Sequence, residues 1–266
     1  MRIWNNEKKV TKRRKFLLVS ILLSFGLLIV QRLNVESRYS AIAMFALASY
    51  LLTAWSLLKD LRGVNWFINL VLPTLYPISV ALFYFLLPQA AITRTIVIVL
   101  FAISMYGLLL TSNIFAVASI RTIQLLRAAR AVGFLISIVT SAFFYHVIFS
   151  LRLPSWQVAS YVGIVSLPLL WQGTWSYVVS NSIKKEFYYA LCGSVVLFEM
   201  ALALSFWLIS VPLSSVMLSM GMYVLLGLFQ HDLEGRLFPR TVQEYLGFSL
   251  IVFVVVATSV LFQWSR

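Results

Sequence analysis

Nine apolar runs follow one another along this chain, and short connectors separate them. About twenty apolar residues form a helix that is long enough to cross the hydrocarbon core of a bilayer. The runs are continuous rather than alternating, which favours helices over the strands of about ten residues that build a membrane barrel. Because 61% of the residues are hydrophobic and 11% are charged, a water-soluble fold is excluded. The sequence therefore predicts an all-α polytopic membrane protein with about nine transmembrane helices.

The predicted organisation is a basic tail over residues 1–15 followed by one transmembrane helical domain over residues 16–264. No polar segment reaches the roughly 50 residues that a small soluble domain needs. The predicted spans are 16–34, 40–58, 64–87, 93–112, 132–151, 156–179, 188–210, 213–230 and 246–264. Residues 113–131 are predicted to form a cytoplasmic basic helix, and residues 231–245 are predicted to form a cytoplasmic loop.

Lysine and arginine are concentrated on alternate connectors, which predicts the orientation. Sixteen of them lie on the N-terminal side of the predicted membrane: Arg2, Lys8, Lys9, Lys12, Arg13, Arg14, Lys15, Lys59, Arg62, Arg121, Arg127, Arg130, Lys184, Lys185, Arg236 and Arg240. Five lie on the other side: Arg32, Arg38, Arg94, Arg152 and Arg266. Since short cytoplasmic loops carry the excess of positive charge, the pattern predicts a multi-pass protein of a cell membrane with its N-terminus inside and its C-terminus outside.

The net charge of +13 favours a lipid partner over a nucleic acid. Basic residues that flank a span attract anionic head groups by about 1 kcal/mol each. A nucleic-acid surface would interleave aromatic residues with the basic ones, and none lies between Lys8 and Lys15. We therefore expect the bilayer, anionic lipid head groups at the cytoplasmic face and protein partners as the ligands. The predicted contacts are Lys12, Arg13, Arg14, Arg121, Arg127 and Arg130.

Arg121, Gln124, Arg127 and Arg130 follow one another at three-residue spacing, and this row resembles the charge ladder of a voltage sensor. Such a sensor needs acidic residues on neighbouring helices, and a crossing here would invert every later loop. A basic surface helix is the better interpretation, with its arginines reaching phosphates or a partner. A helical extension of either neighbouring span is the alternative.

Two predicted spans contain prolines, at Pro73 and Pro77 in the third and at Pro168 in the sixth. Each proline removes a hydrogen bond within its helix. Broken helices at corresponding positions of two halves are a sequence pointer to a transporter site. The polar residues that would line such a substrate or proton pathway are Thr74, Tyr76, Gln172 and Thr174.

Glu199 is the only acidic residue that lies well inside a predicted span. A charge at that depth is costly, so the side chain must face the protein interior, form a pair or be protonated. A proton relay or substrate-binding carboxylate and a neutral carboxylic acid hydrogen-bonded between helices are both consistent with the sequence. Glu199 completes the predicted pathway.

The predicted 231–245 loop carries His231, Asp232 and Glu234, where water and lipid head groups would both reach. These side chains could perform acid–base chemistry on a lipid, but their spacing matches no established catalytic motif. The non-catalytic alternative is an ordinary loop whose acidic residues form ion pairs with Arg236 and Arg240.

Three hypotheses of function follow from the sequence. The first is a small transporter or lipid-translocating protein, and the second is a membrane scaffold or assembly subunit. The alternative to these two is an intramembrane or membrane-surface enzyme that acts on a lipid through His231, Asp232 and Glu234. A non-enzymatic role is expected, with no cofactor and no metal, because the single Cys192 and the scattered acids form no ligand motif.

Overall fold

A computed structural model describes residues 12–32, 37–58, 65–88, 90–118, 125–178, 183–207 and 209–264. These residues form nine helices and confirm the predicted all-α polytopic class. The helices are α1 (Lys12–Arg32), α2 (Arg38–Leu57), α3 (Asn65–Tyr84), α4 (Ala91–Ala118), α5 (Leu126–Ser150), α6 (Ser155–Val178), α7 (Ile183–Phe206), α8 (Val211–Leu233) and α9 (Pro239–Trp264).

Eight of the nine helices are long and apolar enough to cross a membrane, and α6 is the exception. Hydroxyl, amide and proline residues interrupt the apolar sequence of α6. This helix packs against α3, α5, α7 and α8, so it faces protein over most of its surface. Because its hydroxyls bond to carbonyls of its own preceding turn, as Ser166 does to Val162 (2.6 Å), a less apolar helix is tolerated there.

The bundle is built around α5, which packs against α3, α4, α6 and α8. The tightest pair is α6 with α7, whereas α9 packs mainly against α8. Large apolar side chains are exposed on the outer faces of the helices, including Phe25, Phe67, Ile103 and Leu135. In water such a surface would be unstable, but it suits contact with lipid tails.

Contacts at the helix ends show that the basic residues are gathered at one end of the bundle. At this end the Lys15 ammonium lies 4.8 Å from the Trp55 ring centroid, and Asn69 donates to the Ser112 carbonyl (2.9 Å). We call this the basic end. The described basic residues at this end are Lys12, Arg13, Arg14, Lys15, Arg127, Arg130, Lys184, Lys185, Arg236 and Arg240. The opposite end carries Arg32, Arg38, Arg94 and Arg152.

The structure corrects the predicted cytoplasmic segments. Residues 113–118 belong to α4 and residues 126–131 belong to α5, so the described part of 113–131 is not a separate helix. The described residues of this segment instead extend the neighbouring helices α4 and α5, which was the alternative prediction. Residues 231–233 end α8 and residues 239–245 begin α9, so the connector is only 234–238. A helix ends at a cap rather than at the end of its apolar run, and that is why both predictions are wrong.

The prediction of proline-broken helices is also wrong. Helix α3 continues through Pro73 and Pro77, and α6 continues through Pro168. Neighbouring helices and hydroxyl side chains satisfy backbone groups around such prolines. Thr74, for example, donates to the Leu70 carbonyl (2.8 Å).

Candidate functional site

A polar cavity of about 620 Å³ lies at the basic end. Helices α5, α8 and α9 form its walls, and Tyr177 near the end of α6 closes one side. We call it the basic cleft, and its lining residues are Arg127, Arg130, Ala131, Phe134, Leu135, Tyr177, Gln230, His231, Glu234, Arg236 and Tyr245. The basic cleft therefore brings Arg127 and Arg130 of the predicted arginine ladder together with residues of the predicted 231–245 loop.

Arg130 is the best-anchored cation of the basic cleft. Its Nη1 donates to Glu234 Oε1 (3.0 Å), and its Nη2 donates to the Tyr177 carbonyl oxygen. The guanidinium carbon also lies 4.4 Å from the centre of the Tyr177 ring, a cation–π distance. Since both ion-pair side chains are only 24% exposed, this pair fixes the start of α5 against the ends of α6 and α8.

Arg127 and Arg236 leave charge available to a ligand. Arg127 is exposed at the first turn of α5 and forms no ion pair within the described residues. Arg236 is 74% exposed and lies 3.9 Å from Glu234 Oε2, which is too long for a hydrogen bond. The basic cleft thus carries three guanidinium groups against one carboxylate, a net positive charge that suits an anion.

Aromatic residues hold the inner wall of the basic cleft. The His231 ring lies edge-on between the rings of Tyr177 and Tyr245, with centroid distances of 6.4 and 5.8 Å. The neighbouring Gln230 is buried and donates to the Gly173 carbonyl (3.0 Å), which fixes α8 against α6. Phe134 and Leu135 make the part of the cleft that continues along α5 apolar.

The three residues of the predicted enzyme site are divided by the structure. His231 and Glu234 line the basic cleft, whereas Asp232 accepts a hydrogen bond from the Tyr189 hydroxyl of α7. The two predicted ion pairs are partly found. Glu234 pairs with Arg130 and approaches Arg236, while Arg240 pairs with Glu244 (3.5 Å).

The residues of the predicted pathway lie in different environments. Tyr76 is buried, and its hydroxyl bonds to the Ser104 hydroxyl of α4. Thr74 lines an apolar cavity of about 240 Å³ together with Pro168, so the two proline segments do approach each other. Gln172 is buried, and its Oε1 has no hydrogen-bond partner among the described residues. Thr174 is buried and bonds to the Leu170 and Trp171 carbonyls of its own helix.

Glu199 does not join these residues, because it is exposed on the outer face of α7. Of the three alternatives for this acid, placement in the protein interior is therefore wrong. A different acid of α7, Glu186, is buried at the basic end and is 2% exposed. Glu186 is not among the predicted site residues because it falls outside the predicted span 188–210.

The remaining predicted lipid contacts lie either at the basic end or outside the residues that the structure describes. Lys12, Arg13 and Arg14 are exposed on the first turn of α1. Arg121 lies outside the described residues, as do residues 1–11 of the basic tail. The cleft residues that sequence reasoning missed are Tyr177, Gln230 and Tyr245. Tyr177 and Gln230 lie inside predicted spans, whereas Tyr245 is the last residue of the predicted 231–245 loop, and only Gln230 carries an amide group that could have marked it.

Comparison with known proteins identifies a family. Residues 17–259 match the family described as protein of unknown function (DUF5656). Neither the curated proteins nor the solved structures contain a match to the chain. Since the matched residues span nearly all of the sequence, the chain belongs to this family.

Proposed function

We propose that this DUF5656 protein binds the phosphate-bearing head group of an anionic lipid in the basic cleft. Its role in this proposal is non-enzymatic, as a scaffold or lipid-handling protein of a cell membrane. The basic end faces the cytoplasm, so the N-terminus lies inside and the C-terminus outside.

The observation that carries the proposal is the charge of the basic cleft. Arg130 is committed to Glu234 and to the Tyr177 carbonyl, so it serves mainly to hold the walls together. Arg127 and Arg236 line the same cavity; Arg127 forms no ion pair within the described residues, and Arg236 is 74% exposed and lies 3.9 Å from Glu234, too far for a hydrogen bond. The planar guanidinium group can donate two parallel hydrogen bonds to two phosphate oxygens. Such charge-assisted hydrogen bonds are stronger than those between neutral groups.

The apolar part of the basic cleft supports a lipid rather than a free anion. Phe134 and Leu135 continue the lining along α5, and Leu135 is 63% exposed on the outer surface of the bundle. A phosphate between the arginines would therefore have its acyl chains beside an apolar helix face at membrane depth. The charged end of the cleft would thus contact the head group of a phospholipid, and its apolar side would contact the acyl chains.

The orientation follows from the same charges. Short cytoplasmic connectors carry the excess of lysine and arginine, and the described helices concentrate these residues at the basic end. The cytoplasmic leaflet is also the one rich in anionic lipid. The orientation and the ligand are therefore mutually consistent.

The test is equilibrium binding of short-chain phosphatidylglycerol to the full chain in neutral detergent, followed by native mass spectrometry. One lipid molecule per chain is expected to bind. Each basic side chain near an anionic head group contributes about 1 kcal/mol, so the double variant Arg127→Ala/Arg236→Ala should bind about thirtyfold more weakly. The matched control is Lys184→Ala/Arg240→Ala, which removes two exposed charges of the basic end outside the cleft.

The control should retain the wild-type affinity within about twofold, as expected for exposed charges outside the cleft that salt screens. Equal affinity for phosphatidylcholine, or unchanged affinity in the Arg127/Arg236 double variant, would contradict the proposal. A third arm uses inorganic phosphate. If phosphate binds and phosphatidylglycerol does not compete, the cleft serves a free anion and the lipid proposal is wrong.

A further inference from the structure

The outward face of α7 carries a carboxyl group that the basic cleft does not use. Glu199 lies about 160° around the helix from Leu197, which is fully buried. The side chain therefore points away from the bundle rather than along its edge. Within the described residues Glu199 forms no ion pair or hydrogen bond.

Its depth makes this position costly in a single copy. Glu199 is seven residues before the last residue of α7, Phe206, which places it roughly 10 Å inside that end of the helix. The end belongs to the side opposite the basic end, where the surrounding outer surface is apolar. Acids at membrane depth almost always face a protein partner or a water-filled cavity rather than lipid.

The neighbouring residues on the same face have the spacing of a helix–helix seam. Cys192, Glu199 and Phe206 are separated by seven residues, so they occupy the same heptad position. Val196 and Ala203 lie between them and are also exposed. The steps from Cys192 through Val196, Glu199 and Ala203 to Phe206 are four, three, four and three residues, the period of a left-handed crossing. The small side chains of Cys192 and Ala203 on this face allow a second helix to approach closely.

We propose that a second copy of this chain packs on this face, so that α7 and its equivalent form a two-fold dimer around paired Glu199 side chains. Two copies in one membrane share an orientation, so their two-fold axis lies along the membrane normal. Each seam residue then faces its own equivalent. Two carboxyl groups that share a proton are self-complementary, since one donates and the other accepts. A single polar residue in an apolar seam also fixes register and oligomeric state.

The test uses Cys192, the only cysteine of the chain, in the full-length protein in liposomes at a low protein-to-lipid ratio. If Glu199 lies at the seam, Cys192 lies at the seam two turns away, within reach of its equivalent. Oxidation with copper–phenanthroline should then join the two thiols into a disulfide-linked dimer. Glu199→Leu should lower the dimer yield about tenfold at limiting oxidant, and Glu199→Gln should keep most of it because an amide also donates and accepts.

The matched control moves the thiol to another lipid-facing helix near mid-length. The variant Cys192→Ala/Ile103→Cys places it on α4, where Ile103 is 65% exposed. This variant should give only the low yield of random collisions.

The dimer is excluded if Cys192 crosslinks no faster than this control. Its dependence on Glu199 is excluded if Glu199→Leu crosslinks like the wild type while it remains monodisperse with an unchanged melting temperature. Both outcomes are independent of lipid binding in the basic cleft.

Discussion

At the scale of single residues, the arginine ladder shows what sequence spacing can and cannot reveal. The sequence indicates that Arg127 and Arg130 lie together at a membrane surface, and the structure places both in the basic cleft. Their roles differ, because Arg130 is drawn to Glu234, 104 positions further along the chain, while Arg127 remains exposed. A contact over such a separation depends on how α5 and α8 pack. The spacing of three residues alone cannot predict it.

We predict that Arg130→Ala destabilises the protein whereas Arg127→Ala does not. Loss of Arg130 leaves the half-buried Glu234 and the Tyr177 carbonyl without their donor, at a cost of about 1–3 kcal/mol. Arg127 is exposed, so its removal should change stability by less than about 0.5 kcal/mol. Thermal unfolding in detergent would measure both changes. Equal melting temperatures for the two variants would show that the Arg130 network does not hold the helix ends.

At the scale of helices, the sequence predicts where each span lies but places several ends wrongly. Helix α8 ends at Leu233, just before Gly235, which adopts a positive φ of 69° that favours glycine. Helix α9 begins with Pro239, a residue favoured in the first turn. Both signals were present in the sequence. Hydropathy outweighed them in the prediction, since it reports the apolar run rather than the cap.

The attachment of α9 provides a prediction at this scale. Gly227 of α8 lies against the Tyr245 ring of α9, and a Cβ atom at position 227 would overlap that ring. Because α9 packs mainly against α8, Gly227→Ala should displace Tyr245 and lower the melting temperature of the protein. It should also weaken lipid binding, because Tyr245 lines the basic cleft. The control is Gly107→Ala, where a Cβ meets nothing within 4 Å. That variant should be neutral or stabilised by up to about 1 kcal/mol. A Gly227→Ala protein that matches the control in both measurements would contradict this contact.

At the scale of the whole molecule, composition and periodicity were enough to predict the helical membrane fold. They could not predict the basic cleft, whose residues come from four helices and the α8–α9 connector and meet only after these helices pack. They also misplaced Glu199, because an acid inside an apolar run is expected to face the interior of a single chain. Its exposed position is explained if the functional unit is larger than one copy.

The proposed orientation predicts opposite locations for the α8–α9 connector and the C-terminal end of α9. A green fluorescent protein inserted after Gly235 should fluoresce, since it folds in the cytoplasm. Alkaline phosphatase fused after Arg266 should be active, since it needs an oxidising compartment for its disulfides. The reverse pattern would show that the basic end faces outward, against the positive-inside bias.

The most direct test of lipid binding is an experimental structure of the full chain in a bilayer that contains phosphatidylglycerol. Lipid binding in the basic cleft predicts a lipid phosphate within about 3 Å of the guanidinium groups of Arg127 and Arg236, with acyl chains along Phe134 and Leu135. A basic cleft without lipid, with phosphate density only beside Lys12, Arg13 and Arg14, would contradict it.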